Sequence, residues 1–241
     1  MKSLEKEKQS SNEKANILVN NFDDLLKSVK KQVPIFYFLQ EKYDFKGEIL
    51  ELGAGSCWFS ALVSKLPEVE KVYALDLSED LLDKIGKKVI KQLEGNCKKI
   101  KFVVSDFHKM SFNNNKFDII ICDASLHHTQ NLPVLLKETS RVLKNDGFLL
   151  AIREPIKTVP YFLKLKKFGK TEIKKGSTEN IYSKSEWKKH FSEAGFELGF
   201  SEEFNKNDTT TRLAKIPLFK VFNGILFSRY YLFAKKVKSK L

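Results

Sequence analysis

The stretch Ile49-Leu50-Glu51-Leu52-Gly53-Ala54-Gly55-Ser56-Cys57-Trp58-Phe59-Ser60 reads as a strand, a glycine turn and the start of a helix. Ile49, Leu50 and Leu52 form a short apolar run suited to a buried strand. Gly53 and Gly55 break it where a backbone must turn sharply or approach a ligand closely. Trp58, Phe59, Leu62, Val63 and Leu66 then recur at helical spacing until Pro67 ends the pattern. A nucleotide-like ligand suits the free amides at such a helix start.

Downstream, a second strand leads into a second helix. Lys71-Val72-Tyr73-Ala74-Leu75-Asp76 is a second strand ending in an acid, and Ser78 caps a helix marked by Leu81, Leu82, Ile85, Val89 and Leu93. Asp76 follows Gly55 by 21 residues, so it ends the neighbouring strand. There it either accepts hydrogen bonds from two ribose hydroxyls or is a plain strand-end aspartate. Ile100 to Val104 is a third strand, leading into Ser105-Asp106-Phe107. Phe117 to Asp123 is a fourth, whose unbroken apolar centre predicts cover on both faces. Pro133, Leu135, Leu136, Thr139, Val142 and Leu143 form a helix with Gly147 after its end, and Phe148 to Ile152 is a fifth strand.

This alternation predicts an α/β fold with a Rossmann-like, doubly wound, mostly parallel sheet. Ligands of such sheets bind outside the carboxyl ends of the strands, so Glu51, Asp76, Asp106 and Asp123 are expected to converge on one crevice. Ser183 and Glu186 have capping-box spacing before a helix carrying Trp187, Phe191 and Ala194 and ended by Gly195. Phe196 to Phe200 and Tyr230 to Ala234 complete seven strands.

Before the core, the first sixteen residues are rich in Lys, Glu and Ser and are expected to be disordered, with no secretory pattern. Leu18, Phe22, Leu25, Leu26 and Val29 predict a helix ending before Pro34, and Ile35 to Tyr43 a second short one. This N-terminal helical cap either packs on the sheet or lids a substrate. The expected organisation is one domain over 1–241: a disordered start and cap over 1–46, a cofactor-binding core over 47–153, a basic insertion after strand five over 154–183, and a C-terminal completion of the sheet over 184–241.

The formal net charge is +13, mostly lysine. It favours anionic contacts but equally serves solubility. Residues 153–175 carry eight Lys or Arg against two Glu, with Tyr161, Phe162 and Phe168 among them. That segment suits nucleic-acid phosphates and bases, or, with the apolar stretch from Leu213 to Phe233, an anionic membrane, or is a solvated lysine face. Three cysteines without a Cys-x-x-Cys pair suggest neither a disulfide framework nor a zinc site. A reducing, cytoplasmic compartment is expected, since Ile216 to Ala234 is too polar for a membrane span.

In this order the motifs resemble those of class I S-adenosylmethionine-dependent methyltransferases, over roughly residues 45 to 235, and most closely the small-molecule branch that includes ubiquinone and menaquinone methyltransferases. Glu51 to Gly55, Asp76, Ser105 to Phe107, Phe117 to His128 and Leu143 to Phe148 carry the likeness. The resemblance implies S-adenosyl-L-methionine as cofactor. Glu51 would hold the methionine ammonium, Gly53, Ala54 and Gly55 would let the backbone approach, and Asp76 would bind the ribose, with Leu77 against the adenine. Asp106 and Phe107 would meet the adenine, and Asp123, or the backbone near it, would lie near the sulfonium. The chain departs from the family at Cys57, where a third glycine often stands. Trp58, where a dinucleotide fingerprint needs glycine, argues against NAD.

Methyl transfer from a sulfonium is an in-line displacement, so the protein must align nucleophile, methyl and sulfur and exclude water. His127 and His128, just past the fourth strand, stand where a general base for a hydroxyl acceptor would be. Otherwise one packs while the other is exposed. Two adjacent histidines without carboxylates at ligand spacing do not suggest a metal. His108 and His190 read as surface or cap residues. The expected acceptor is a small molecule: a metabolite, sugar, quinone or lipid-linked intermediate. The alternatives are a nucleic-acid methyltransferase or binding protein and a non-catalytic cofactor-binding subunit. An Asn/Asp-Pro-Pro-aromatic motif of base-methylating enzymes is absent after strand four.

Overall fold

A computed structural model describes residues 2–156, 180–201 and 229–237. Most of the basic insertion, including Lys164, Lys166 and Lys167, and most of the apolar stretch before strand seven lie outside the described residues.

Seven strands form one sheet: β1 (Gly47–Leu52), β2 (Val69–Asp76), β3 (Ile100–Val104), β4 (Phe117–Asp123), β5 (Leu143–Pro155), β6 (Phe196–Ser201) and β7 (Arg229–Lys236). Their spatial order is β3-β2-β1-β4-β5-β7-β6. β1 to β5 run parallel, and β7 inserts antiparallel between β5 and β6. The order reverses between β1 and β4, the switch point beyond whose carboxyl ends open α/β sheets bind their ligands.

Alternation along each strand feeds two apolar layers. Ile119 and Ile121 of β4 pack with Ile49, Phe59, Val63, Val89, Phe36 and Leu39, which come from β1 and the helices of one face. Ile120 and Cys122 pack with Leu50, Leu52, Leu135, Leu136, Trp187 and Phe191 on the other. The helices are α2 (Phe22–Lys42) and α3 (Trp58–Val63) on the first face and α5 (Leu132–Val142) and α6 (Lys184–Glu193) on the second. Between α3 and α5 in the chain, α4 runs as a wide turn over Leu81–Gly86 and regular helix over Lys87–Gln92. Each buried Leu or Ile adds roughly 1.5–3 kcal/mol, so the two layers hold the sheet. The Ser183–Glu186 capping box forms as its spacing predicts, and Asn131 Oδ1 accepts from the Val134 amide at the start of α5.

Two expectations about the start of the chain are corrected. Residues expected to be disordered form α1 (Lys2–Asn20), whose Ala15 is buried against the first layer. Pro34 does not divide the cap into two helices but lies inside α2, on its exposed side. A proline removes one amide and crowds one carbonyl, and solvent on that side satisfies the freed carbonyl while Val29, Phe36 and Leu39 stay buried.

Candidate functional site

The turn after β1 carries the geometry. Gly53 and Gly55 adopt φ of 67° and 49°, left-handed values that a side chain would strain. A Cβ at Gly53 would stand 2.8 Å from Ser125 Cβ, so the turn also needs glycine to pack against the loop after β4, where Ser125 Oγ donates to Leu52 O. Asp76, at the end of β2, accepts from Gly55 N at 2.8 Å through one carboxylate oxygen and from Ser78 N at 2.9 Å through the other. The 21-residue spacing thus becomes a direct contact. Burial pushes the Asp76 carboxyl up from its ordinary value, against the pull of the Ser78 and Gly55 amides.

Cys57, in the left-handed region at φ 56°, caps the start of α3 and is fully buried. Its Sγ occupies the space that a Cβ on Gly86 would need, at 2.8 Å. The missing third glycine is therefore matched by a glycine on α4. Glu51 lies beneath this helix start, 1% exposed, accepting from Ser60 N at 2.9 Å and from Ser60 Oγ. Burial pushes its carboxyl up to about 8; the Ser60 hydroxyl opposes this, and the charges of Asp123 and Asp76 add to it.

One strand further out, Asp106 Oδ1 accepts from His108 N at 2.9 Å and lies 2.7 Å from His108 Nδ1. His108 Nε2 lies 2.6 Å from Thr129 Oγ1. His108 is thus no surface residue: it ties the turn after β3 to the loop after β4. Leu77 and Phe107 are half-buried beside these acids. His190 is also partly buried, with its ring edge-on to Tyr182.

At the ends of β4 and β5 the structure shows what the sequence reading missed. Glu154, fully buried, accepts from the amides of Ser125 and Leu126 at 3.0 Å and His127 at 3.2 Å, and pairs with His127 Nδ1 at 2.8 Å. His127 is 8% exposed, and its Nε2 has no partner among the described residues. His128 lies against it, ring centroids 4.0 Å apart. Asp123 is brought to the crevice, but its carboxylate is engaged by Arg153 Nε and Nη2 at 2.6 and 2.7 Å and by Trp58 Nε1 at 2.6 Å. A signal for Glu154 existed: it is an acid following a strand, like Asp76, Asp106 and Asp123. Its place at the edge of the irregular segment concealed it.

Helix α1 lies over the same edge. Asn12 Oδ1 accepts from Ser78 Oγ at 2.6 Å, and Glu7 Oε2 accepts from Gln130 Nε2 at 3.4 Å. Burial raises the Glu7 carboxyl, His108 opposes this, and the charges of Asp106 and Asp76 add to it. Helix α1 thus reaches the loops after β2 and β4 as well as packing on the first apolar layer. Glycines that admit a close backbone, an acid at each of two adjacent strand ends and a buried carboxyl fit an adenosyl group with an amino-acid tail. Among the described residues no helix is long and apolar enough to cross a membrane.

Residues 50–151 match the model of a methyltransferase domain. A demethylmenaquinone methyltransferase of Staphylococcus aureus is 30% identical over 156 residues, covering 58% of this chain and 63% of that protein. The chain therefore matches under two thirds of the relative's length. Among solved structures, a geranyl diphosphate C-methyltransferase of Streptomyces coelicolor, in complex with Mg2+, geranyl diphosphate and S-adenosyl-L-homocysteine, superposes with a TM-score of 0.64 at 15% identity over 85% of this chain and 77% of that one. A SAM-dependent methyltransferase of Aquifex aeolicus superposes with a TM-score of 0.57 at 18% identity over 87% and 97%. Both share the fold.

Proposed function

We propose that this chain, whose core is a class I S-adenosylmethionine-dependent methyltransferase domain, transfers the methyl group of that cofactor to a small-molecule acceptor. The observation that carries the reading is the Gly55–Asp76 contact, with Asp106 one strand further along the same edge. When bound, S-adenosylmethionine supplies a methyl already activated on a sulfonium. Asp76 accepts from the ribose hydroxyls, Asp106 from the adenine amino group, and Glu51 holds the ammonium. Leu77 and Phe107 flank the base, and α1 excludes water from the crevice. His127, oriented by Glu154, takes the proton where the acceptor is a hydroxyl. His128 packs on His127. The relative named for demethylmenaquinone favours a quinone-type molecule as the first acceptor to test.

The test has two stages. S-adenosylhomocysteine should raise the melting temperature, and Asp76→Ala should abolish that rise; no binding at millimolar ligand refutes the cofactor reading. A metabolite extract, and demethylated quinones, incubated with isotope-labelled cofactor should then yield a labelled small molecule with wild type. An O-methylated product lost in His127→Gln, with S-adenosylhomocysteine binding intact, supports the base; an undiminished product refutes it.

A further inference from the structure

Arg153, paired with Asp123, has an unusual backbone geometry. It is a non-glycine residue at φ 58°, a conformation that costs roughly 1–2 kcal/mol. It sits where the pairing of β5 with β7 loses register between Ala151 and Glu154. In a regular strand, residues 153 and 154 would point to opposite faces of the sheet. The irregularity instead turns both toward the end of β4: Glu154 into the 125–127 loop and Arg153 onto Asp123. Irregularities of this kind commonly re-aim side chains beside a site.

The pair is only half used. Asp123 spends both oxygens on Arg153 and Trp58, whereas Arg153 spends only the edge made of Nε and one Nη2 hydrogen. The Nη1 group and the second Nη2 hydrogen have no partner among the described residues, although the Arg153 side chain is only 20% exposed. A guanidinium so enclosed, with a free planar edge, matches a second carboxylate.

Position selects which one. Asp106 and Asp76 close the ends of β3 and β2, so a nucleoside lies to that side. The rest of an extended cofactor runs over β1 toward β4, two strand spacings or about 10 Å from β2. There the protein offers the buried carboxyl of Glu51 and the Asp123–Arg153 pair. An ammonium and a carboxylate on one carbon are complementary to that set.

We propose that Arg153, held in place by Asp123 and Trp58, binds the α-carboxylate at the methionine end of the cofactor. This rests on the cofactor reading above. Calorimetry with S-adenosylhomocysteine, its decarboxylated analogue and 5′-methylthioadenosine, which lacks the amino-acid tail, separates the two claims. Wild type should bind S-adenosylhomocysteine roughly ten- to a hundredfold more tightly than the decarboxylated analogue. In Arg153→Gln that preference should collapse, while 5′-methylthioadenosine affinity stays within about twofold. Equal losses for S-adenosylhomocysteine and 5′-methylthioadenosine would make Arg153 a structural strut and overturn the proposal, as would unchanged S-adenosylhomocysteine affinity. Should Arg153→Gln not fold, a wild type indifferent to the carboxylate overturns it alone. Failure of wild type to bind any of the three defeats the cofactor reading itself.

Discussion

Replacing Glu51 by Gln should make the free protein more stable at alkaline pH while weakening its hold on S-adenosylhomocysteine. Glu51 is 1% exposed, and burial pushes its carboxyl from 4.5 to about 8. In the unfolded chain the group loses its proton near 4.5, whereas in the fold it keeps it until about 8. Across that window the unfolded state binds fewer protons, so stability is full below 4.5 and falls as pH rises to about 8. Each pH unit in that window costs about 1.4 kcal/mol, which accumulates to about 5 kcal/mol over the whole window. Gln copies the protonated carboxyl: its oxygen accepts from Ser60 N and Oγ, and it never ionises. Urea unfolding of both proteins over this pH range, at constant ionic strength, gives the contribution as a difference. Wild type minus Glu51→Gln should decline by about 5 kcal/mol and level off above the upper pKa. A flat or rising difference would mean that Glu51 ionises normally in the fold and would refute the reasoning. An ammonium placed on Glu51 should draw its proton away, so ligand binding near neutrality should release a proton from wild type and none from Glu51→Gln.

Two further substitutions test the packing around the site. Glu154→Gln leaves an amide nitrogen facing two of the four groups that the buried carboxylate now satisfies, and should destabilise the protein by about 3–5 kcal/mol in urea unfolding; a loss under about 1 kcal/mol would show that this loop stands without it. Gly86→Ala should gain about 1 kcal/mol of helix propensity, yet its Cβ meets Cys57 Sγ at 2.8 Å, so we expect net destabilisation that reverses sign in a Cys57→Gly background. The same sign in both backgrounds would exclude the Cys57–Gly86 contact as the cause.

The alternation of strands and helices, the turn at Gly53 and Gly55, the acids at the ends of β1 to β4 and the capping box at Ser183 were all legible, because each depends on residues within a few positions of one another. Apolar period marks the element, and a polar residue after a buried strand must sit at its open end. What the sequence concealed depends on partners far apart in the chain. The helix over Lys2–Asn20 depends on partners distant in the chain: Ala15, Leu18 and Val19 meet the first apolar layer, Asn12 meets Ser78 and Glu7 meets Gln130. Pro34 is tolerated because it falls on the solvent side of a helix anchored elsewhere. His108 is drawn inward by Thr129, and Cys57 is admitted by Gly86. Above all, the tertiary structure decided the ends of β4 and β5. A local loss of register there turns Arg153 and Glu154 to the same side, fastening Asp123 and orienting His127. Sequence period assigns faces only while the register holds; once it slips, only the neighbouring strands determine where the side chains go.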